Sequence, residues 1–243
     1  MRGRTALLQS LTFVTLLTGG ANVANPANSG SPQRGCDYAM IVFDGSGSMD
    51  ASSEPKLAYA QEAVHAVVPD IARDRDLGLI LYGDPDGGTK VGGEQCFSRI
   101  ALSVAPQANA AFAILRAVDA ISPQGMTPLT RAVEWAVTAA KDGTPPGAIV
   151  LVTDGLENCG GRPCELGRYL HATRPGLAVH VIGLDFAAKA DAALSCLASA
   201  TGGTIREAKN AAGLTSALRD TLACPAVSDA APQAPTRNRR QLS

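Results

Sequence analysis

The chain alternates short, continuous apolar runs with stretches whose apolar residues recur every three or four positions. Residues 38–43 (YAMIVF), 77–82 (LGLILY), 148–152 (AIVLV) and 177–184 (LAVHVIGL) are runs of the kind that strands buried on both faces require. Residues 97–104 put Phe97, Arg99 and Ala101 on one face and Ser98, Ile100, Leu102 and Val104 on the other, the mixed pattern of an edge strand. The Gly- and Asp-rich link at 83–95 predicts that this strand returns antiparallel. Residues 203–207 supply a sixth strand.

Helical spacing fills the intervals. Leu57, Ala60, Val64 and Val67 define a helix over 55–68, with Pro55 in its first turn and Ser52 or Ser53 as its cap. Phe112, Leu115 and Val118 are the expected inward residues of 108–120, and Leu129, Val133, Ala136 and Ala140 those of 128–141. Further helices are predicted over 163–172, 191–200 and 211–222. The fold class that follows is α/β: a doubly wound, mostly parallel six-stranded sheet with helices on both faces and one antiparallel edge strand. In such sheets ligands bind at the carboxyl ends of the strands.

The termini change the picture of where the chain works. Residues 1–24 carry Arg2 and Arg4, then a mostly apolar stretch at 6–17 broken by Gln9, Ser10, Thr12 and Thr15, then Ala21 and Ala24 as cleavage points. That is the anatomy of a secretory signal peptide. Together with the Ala-rich composition it predicts export to a bacterial periplasm or exterior. Residues 25–35 read as a flexible lead-in, 36–224 as the ordered domain and 225–243 as a disordered tail. No run of eighteen apolar residues follows the leader, so no transmembrane segment is expected in the mature chain. A formal net charge of −1 and 4% aromatic residues argue against nucleic acid as a partner.

The chemistry gathers where the apolar runs end. The first run passes into Asp44-Gly45-Ser46-Gly47-Ser48, and the run at 148–152 passes into Thr153-Asp154-Gly155. A third piece, Gly125-Met126-Thr127-Pro128-Leu129, precedes a helix. Parallel strands end on one edge of the sheet, so Asp44 and Asp154 converge if their strands are neighbours. Two carboxylates and the hydroxyls of Ser46, Ser48 and Thr127 are hard oxygen donors, which favour Mg²⁺, Mn²⁺ or Ca²⁺ over Zn²⁺. Asp50 and Glu157 read as solvated loop carboxylates, and Asp84 and Asp86 as turn residues. Enzyme signatures are missing: there is no Gly-x-Ser-x-Gly elbow, no phosphate loop and no dinucleotide fingerprint, and His65, His171 and His180 adjoin no nucleophile.

These three pieces, in this order, resemble the metal-ion-dependent adhesion site (MIDAS) of von Willebrand factor type A (VWA) domains. The resemblance covers about residues 36–222. It implies that Ser46, Ser48 and Thr127 are direct ligands of a divalent cation, and that Asp44 and Asp154 hold it directly or through water. It implies adjacent first and 148–152 strands. The implied function is that of a non-enzymatic interaction module, in which the cation takes a carboxylate from a partner protein or surface ligand. The alternatives are a divalent-metal-dependent hydrolase and a structural scaffold that binds no cation.

Six cysteines in an exported chain are available for disulfides. Cys36 opens the first strand and Cys224 follows the last helix, so a bridge between them would tether the ends of the domain. It would also damp the last-helix movement that reports ligation in similar domains. The other four, Cys96, Cys159, Cys164 and Cys196, allow three pairings. The Gly-Gly-Arg-Pro segment between Cys159 and Cys164 invites a local bridge. The family's strand order instead separates Cys96 from Cys196 by most of the sheet, and so favours Cys96–Cys159 with Cys164–Cys196.

Overall fold

The computed structural model describes residues 38–50, 55–83, 89–91, 96, 98–139, 147–155, 157–185 and 190–223. The expected leader, lead-in and tail, Ser52, Ser53, Asp84, Asp86, Cys36 and Cys224 lie outside the described residues.

Chain order is β1 (Tyr38–Asp44), α1 (Lys56–Asp74), β2 (Asp76–Tyr82), β3 (Thr89–Val91), β4 (Ser98–Gln107), α2 (Ala111–Asp119), α3 (Leu129–Ala139), β5 (Ala148–Thr153), α4 (Pro163–Thr173), β6 (Ala178–Leu184), α5 (Ala190–Ala200), β7 (Ile205–Ala208) and α6 (Ala211–Leu222). The strands form one sheet in the order β3-β4-β2-β1-β5-β6-β7. Strands β2, β1, β5, β6 and β7 run parallel, and β4 runs antiparallel beside β2. The six expected strands are all present. A seventh, the three-residue β3, pairs with the outer side of β4 from within the link that was expected to be only a turn.

The winding reverses on either side of β1, and the packing shows why β1 must be central. All seven of its residues are buried. Ala39, Ile41 and Phe43 enter a core built with α1, α2 and α6. Met40 and Val42, one position out of phase, enter a second core with α3, α4 and α5. A strand apolar on both faces gains burial on both only between two helical layers, at about 1.5–3 kcal/mol for each fully buried large side chain.

Two helices depart from their predicted form. Helix α1 runs through Pro69 to Asp74 instead of stopping before the proline. Proline forfeits one helical hydrogen bond, but the last turn buries Ala72 and packs Ile71 against the core. In α2 the inward pair is Ile114 and Val118, four residues apart, while Phe112 is 73% exposed. The Phe112 ring instead lies under the Arg116 guanidinium, 5.9 Å from its centroid. Among the described residues no helix is long and apolar enough to cross a membrane.

Among the described residues, two disulfides fasten the periphery. Cys96 bonds to Cys159 across 5.2 Å of Cα separation, and Cys164 bonds to Cys196 across 5.0 Å. The first ties the chain just before β4 to the loop after β5. The second joins α4 to α5.

Candidate metal centre

Strands β1 and β5 are hydrogen-bonded neighbours, with Phe43 opposite Val152. Asp44, the last residue of β1, therefore lies beside Thr153, the last of β5. Two glycines allow the third piece to close in. Gly83, just beyond β2, has φ +92°, and a Cβ on it would come within 2.3 Å of the Ser46 amide nitrogen. Its carbonyl accepts a hydrogen bond from the Gly125 N–H, and the Gly125 carbonyl accepts one from the Gly47 N–H. Backbone bonds thus draw the loop before α3 onto the Ser46–Ser48 turn without help from any side chain.

The side chains form a connected set. Ser46 Oγ and Ser48 Oγ are 3.2 Å apart, and Ser48 Oγ donates to Asp154 Oδ1 at 2.7 Å. Thr127, buried, and Ser48 both face the space over Gly155: a Cβ added there would sit 3.7 Å from Ser48 Oγ and 3.9 Å from Thr127 Oγ1. Glycine at 155 keeps that space clear. Asp44 is fully buried, and both its oxygens are engaged by the chain: Oδ1 accepts from the Ser46 amide and Oδ2 from the Thr153 hydroxyl. It is the anion behind the serines, positioned to support them rather than to reach past them. Burial holds the Asp44 carboxyl above its ordinary range; hydrogen bonds from Ser46 and Thr153 pull it down, and the charge of Asp154 pushes it up. Tyr82, opposite Asp44 in the sheet, is pushed well above the usual phenol range by burial and by the Asp44 charge.

The arrangement suits a small, hard cation. An octahedron with metal–oxygen bonds of about 2.1 Å has edges of about 3 Å. The Ser46–Ser48 and Ser48–Asp154 oxygen separations of 3.2 and 2.7 Å straddle that length. Among the described residues no three His, Cys, Asp or Glu side chains gather as a metal site. The hydroxyl-based set is thus distinct from the thiolate and imidazole sites that zinc prefers.

Three contributors carry no signal in the local sequence pattern. Lys56, the first residue of α1, places Nζ 2.9 Å from Asp154 Oδ2, with both side chains largely buried. Asn158 accepts from the Thr127 N–H at 2.7 Å and donates its own N–H to the Thr127 carbonyl at 3.3 Å. Glu157 is not the solvated carboxylate expected of it: Oε2 accepts from the Thr130 N–H in the first turn of α3, and Oε1 from the Cys159 N–H. Residues 157–159 therefore brace the Thr127 loop, and the Cys96 bridge anchors the brace. Asp50 is exposed and closes the serine turn, its N–H donating to the Gly47 carbonyl.

Solved structures place this geometry among known folds. A von Willebrand factor type A protein from Catenulispora acidiphila superposes with a TM-score of 0.58 at 21% identity, over 77% of this chain and 42% of that one. The fold is a von Willebrand factor type A fold. Proximal thread matrix protein 1 from the mussel byssus, in a form described as having a zinc-occupied MIDAS motif, superposes with a TM-score of 0.56 at 17% identity. That match covers 78% of this chain and 46% of the other, so this chain spans less than half the length of either solved chain. In sequence, the chain is 28% identical over 206 residues to the uncharacterized protein YwmD of Bacillus subtilis, covering 82% of this chain and 89% of that protein. No family model matches.

Proposed function

We propose that this chain is an exported, non-enzymatic binding module that recognises an acidic group on a partner through a divalent cation. The observation that carries the reading is the connected oxygen set of Ser46, Ser48 and Asp154 with the buried Asp44 carboxylate directly behind it. Ser46, Ser48, Thr127 and Asp154 are the residues that would hold the cation, and Asp44 would balance its charge from beneath. A bound Mg²⁺, the ion that best suits an all-oxygen set of this size, would supply a Lewis-acidic point of attachment for a carboxylate. Mn²⁺ and Ca²⁺ are the next candidates, and the mussel protein makes Zn²⁺ a necessary comparison.

The hydroxyls of Ser46, Ser48 and Thr127 orient without neutralising, which is why the site would draw in negative charge from outside. A cleft of about 530 Å³ lies beside it, lined in part by Thr130, Glu157, Arg162 and Tyr169. It offers a surface for the residues that flank the partner's acidic group. Hydrolysis would call for a base poised beside the set. His65 instead bonds Asp119, and His180 bonds Thr204, so neither of these histidines is such a base. The two disulfides suit an oxidising, exported setting.

Calorimetric and thermal titration of the full chain with Mg²⁺, Mn²⁺, Ca²⁺ and Zn²⁺ tests the reading. Saturable heat and a raised melting temperature, both lost in Asp154→Ala, are expected. Neither effect with any of the four ions would overturn it.

A further inference from the structure

The cation site contains a cation of the protein's own. Lys56 Nζ sits 2.9 Å from Asp154 Oδ2, while Asp154 Oδ1 takes the Ser48 hydroxyl proton at 2.7 Å. Both oxygens of the outer carboxylate are thereby occupied, and both oxygens of the inner one, Asp44, are bonded to Ser46 and Thr153. The Asp154 side chain is only 1% exposed and that of Lys56 14% exposed, so the pair is sheltered from water. A sheltered carboxylate without a partner is costly. Lys56 removes that cost in a way that a surface lysine could not.

We propose that the Lys56 ammonium is a tethered counter-ion for Asp154, which a divalent cation must displace or repel in order to bind. The inference rests on the metal-binding reading above. Its logic is electrostatic competition: a unit positive charge held against a ligand carboxylate opposes a second cation at the same oxygens. Position supports exchange over permanence. Lys56 is the first residue of α1 and reaches the site on a long, unbranched stem, so its head can leave without disturbing the core. The Ser46–Ser48 turn and the Thr127 loop, by contrast, are fixed by backbone hydrogen bonds. The site would then be set for weak, exchangeable metal affinity. Its metal-free form would be stabilised by Lys56, so that emptying the site does not loosen the edge of the sheet.

The test compares the full chain with Lys56→Met, which keeps the stem and removes the charge, and with Lys56→Arg, which keeps the charge. Melting in EDTA and calorimetric titration with Mg²⁺ are both measured. Lys56→Met should melt lower than the parent in EDTA, because Asp154 is left unpaired. It should bind Mg²⁺ about tenfold more tightly or better, and Lys56→Arg should stay close to the parent in both respects. A Lys56→Met protein that binds Mg²⁺ no better than a parent with measurable affinity would overturn the competition and leave the metal site standing. Binding by Lys56→Met alone would support it in its strongest form. If neither protein binds Mg²⁺, Mn²⁺, Ca²⁺ or Zn²⁺, the metal reading falls and this proposal falls with it.

Discussion

The two edges of the sheet handle buried polar groups in opposite ways. At the carboxyl edge, Asp44 and Asp154 are anions held by hydroxyls, one amide and a single lysine, contacts that can rearrange around a cation. At the other edge the buried Arg75 guanidinium donates to the Leu222 carbonyl and to the Tyr38 carbonyl, each at 2.8 Å. Those bonds clamp the end of α6 to the start of β1, and both acceptors are backbone, with no rotamer to exchange. One edge keeps its charges available, and the other spends its charge on closure. The carboxylates at one edge are held mainly by side chains, whereas the other edge is closed onto backbone carbonyls, and substitutions at each edge test whether the two act separately.

Breaking the brace at the site edge should have the largest effect. Replacing Cys96 and Cys159 together by serine removes a cross-link between residues 63 apart and should cost about 4 kcal/mol on the chain-entropy account. Denaturant melts would read the loss. Mg²⁺ affinity should fall too, since Asn158 would no longer be held against Thr127. Unchanged affinity would show that the Thr127 loop is positioned by Gly83 and Gly125 alone.

At the opposite edge, Arg75→Met should cost about 3 kcal/mol, because two charge-assisted bonds disappear and two carbonyls lose their donor. Amide exchange in α6 should accelerate, while Mg²⁺ affinity stays within about twofold of the parent. In the parent, the clamp should keep α6 exchange nearly the same with and without Mg²⁺. A large ligand-dependent change in α6 protection would mean that the two edges communicate, against the separation drawn here.

Much of this arrangement could be read from the chain before any coordinates. The continuous apolar run of β1 marked a strand buried on both faces, and two strand ends with the Gly125–Leu129 piece before a helix named Asp44, Ser46, Ser48, Thr127 and Asp154 as a group. What could not be read has a common cause. Lys56 meets Asp154 across 98 positions, Thr153 meets Asp44 across 109, and Arg75 meets Leu222 across 147. No periodicity encodes such pairs; they exist only once the sheet has brought distant ends together. Phe112 illustrates the reverse error: helical spacing marked it as inward, but it lies on the exposed face of α2, where its ring meets the Arg116 guanidinium. Pro69 likewise ends a helix in isolation, yet not one whose next turn reaches the core.

Asp44→Asn should separate stability from binding at the site itself. The folded protein holds Asp44 above the ordinary carboxylate value of 3.8. Its favourable contribution is therefore fully present below that pH and lost as pH rises through the folded value. At neutral pH the metal-free asparagine variant should melt higher than the parent. Its cation affinity should drop by about 10- to 100-fold, the usual cost of removing a group that supports direct ligands. A variant that melts lower and binds equally well would mean that Asp44 is a purely structural residue.

The smallest effect belongs to His180, at mid-strand in β6. Its Nδ1 lies 3.0 Å from the Thr204 hydroxyl and accepts the Thr204 N–H at 3.2 Å, so that nitrogen carries no proton. Burial lowers its pKa from 6.5, and the charges of Arg75 and Arg206 lower it further. A depressed value means that the unfolded chain takes up the proton first. Stability is therefore complete above pH 6.5 and declines as pH falls below it toward the folded value. His180→Gln, which can still accept from Thr204, should flatten that slope in melts between pH 7.5 and about pH 5. Because the Arg75 charge contributes to the shift, Arg75→Met should shrink the same slope in part, in addition to its larger uniform loss. A slope of that sign that survives both changes would mean that His180 is not its source. The raised Asp44 value gives a trend of opposite sign, with stability rising toward acid, so the two groups are distinguished by the sign of the slope each contributes.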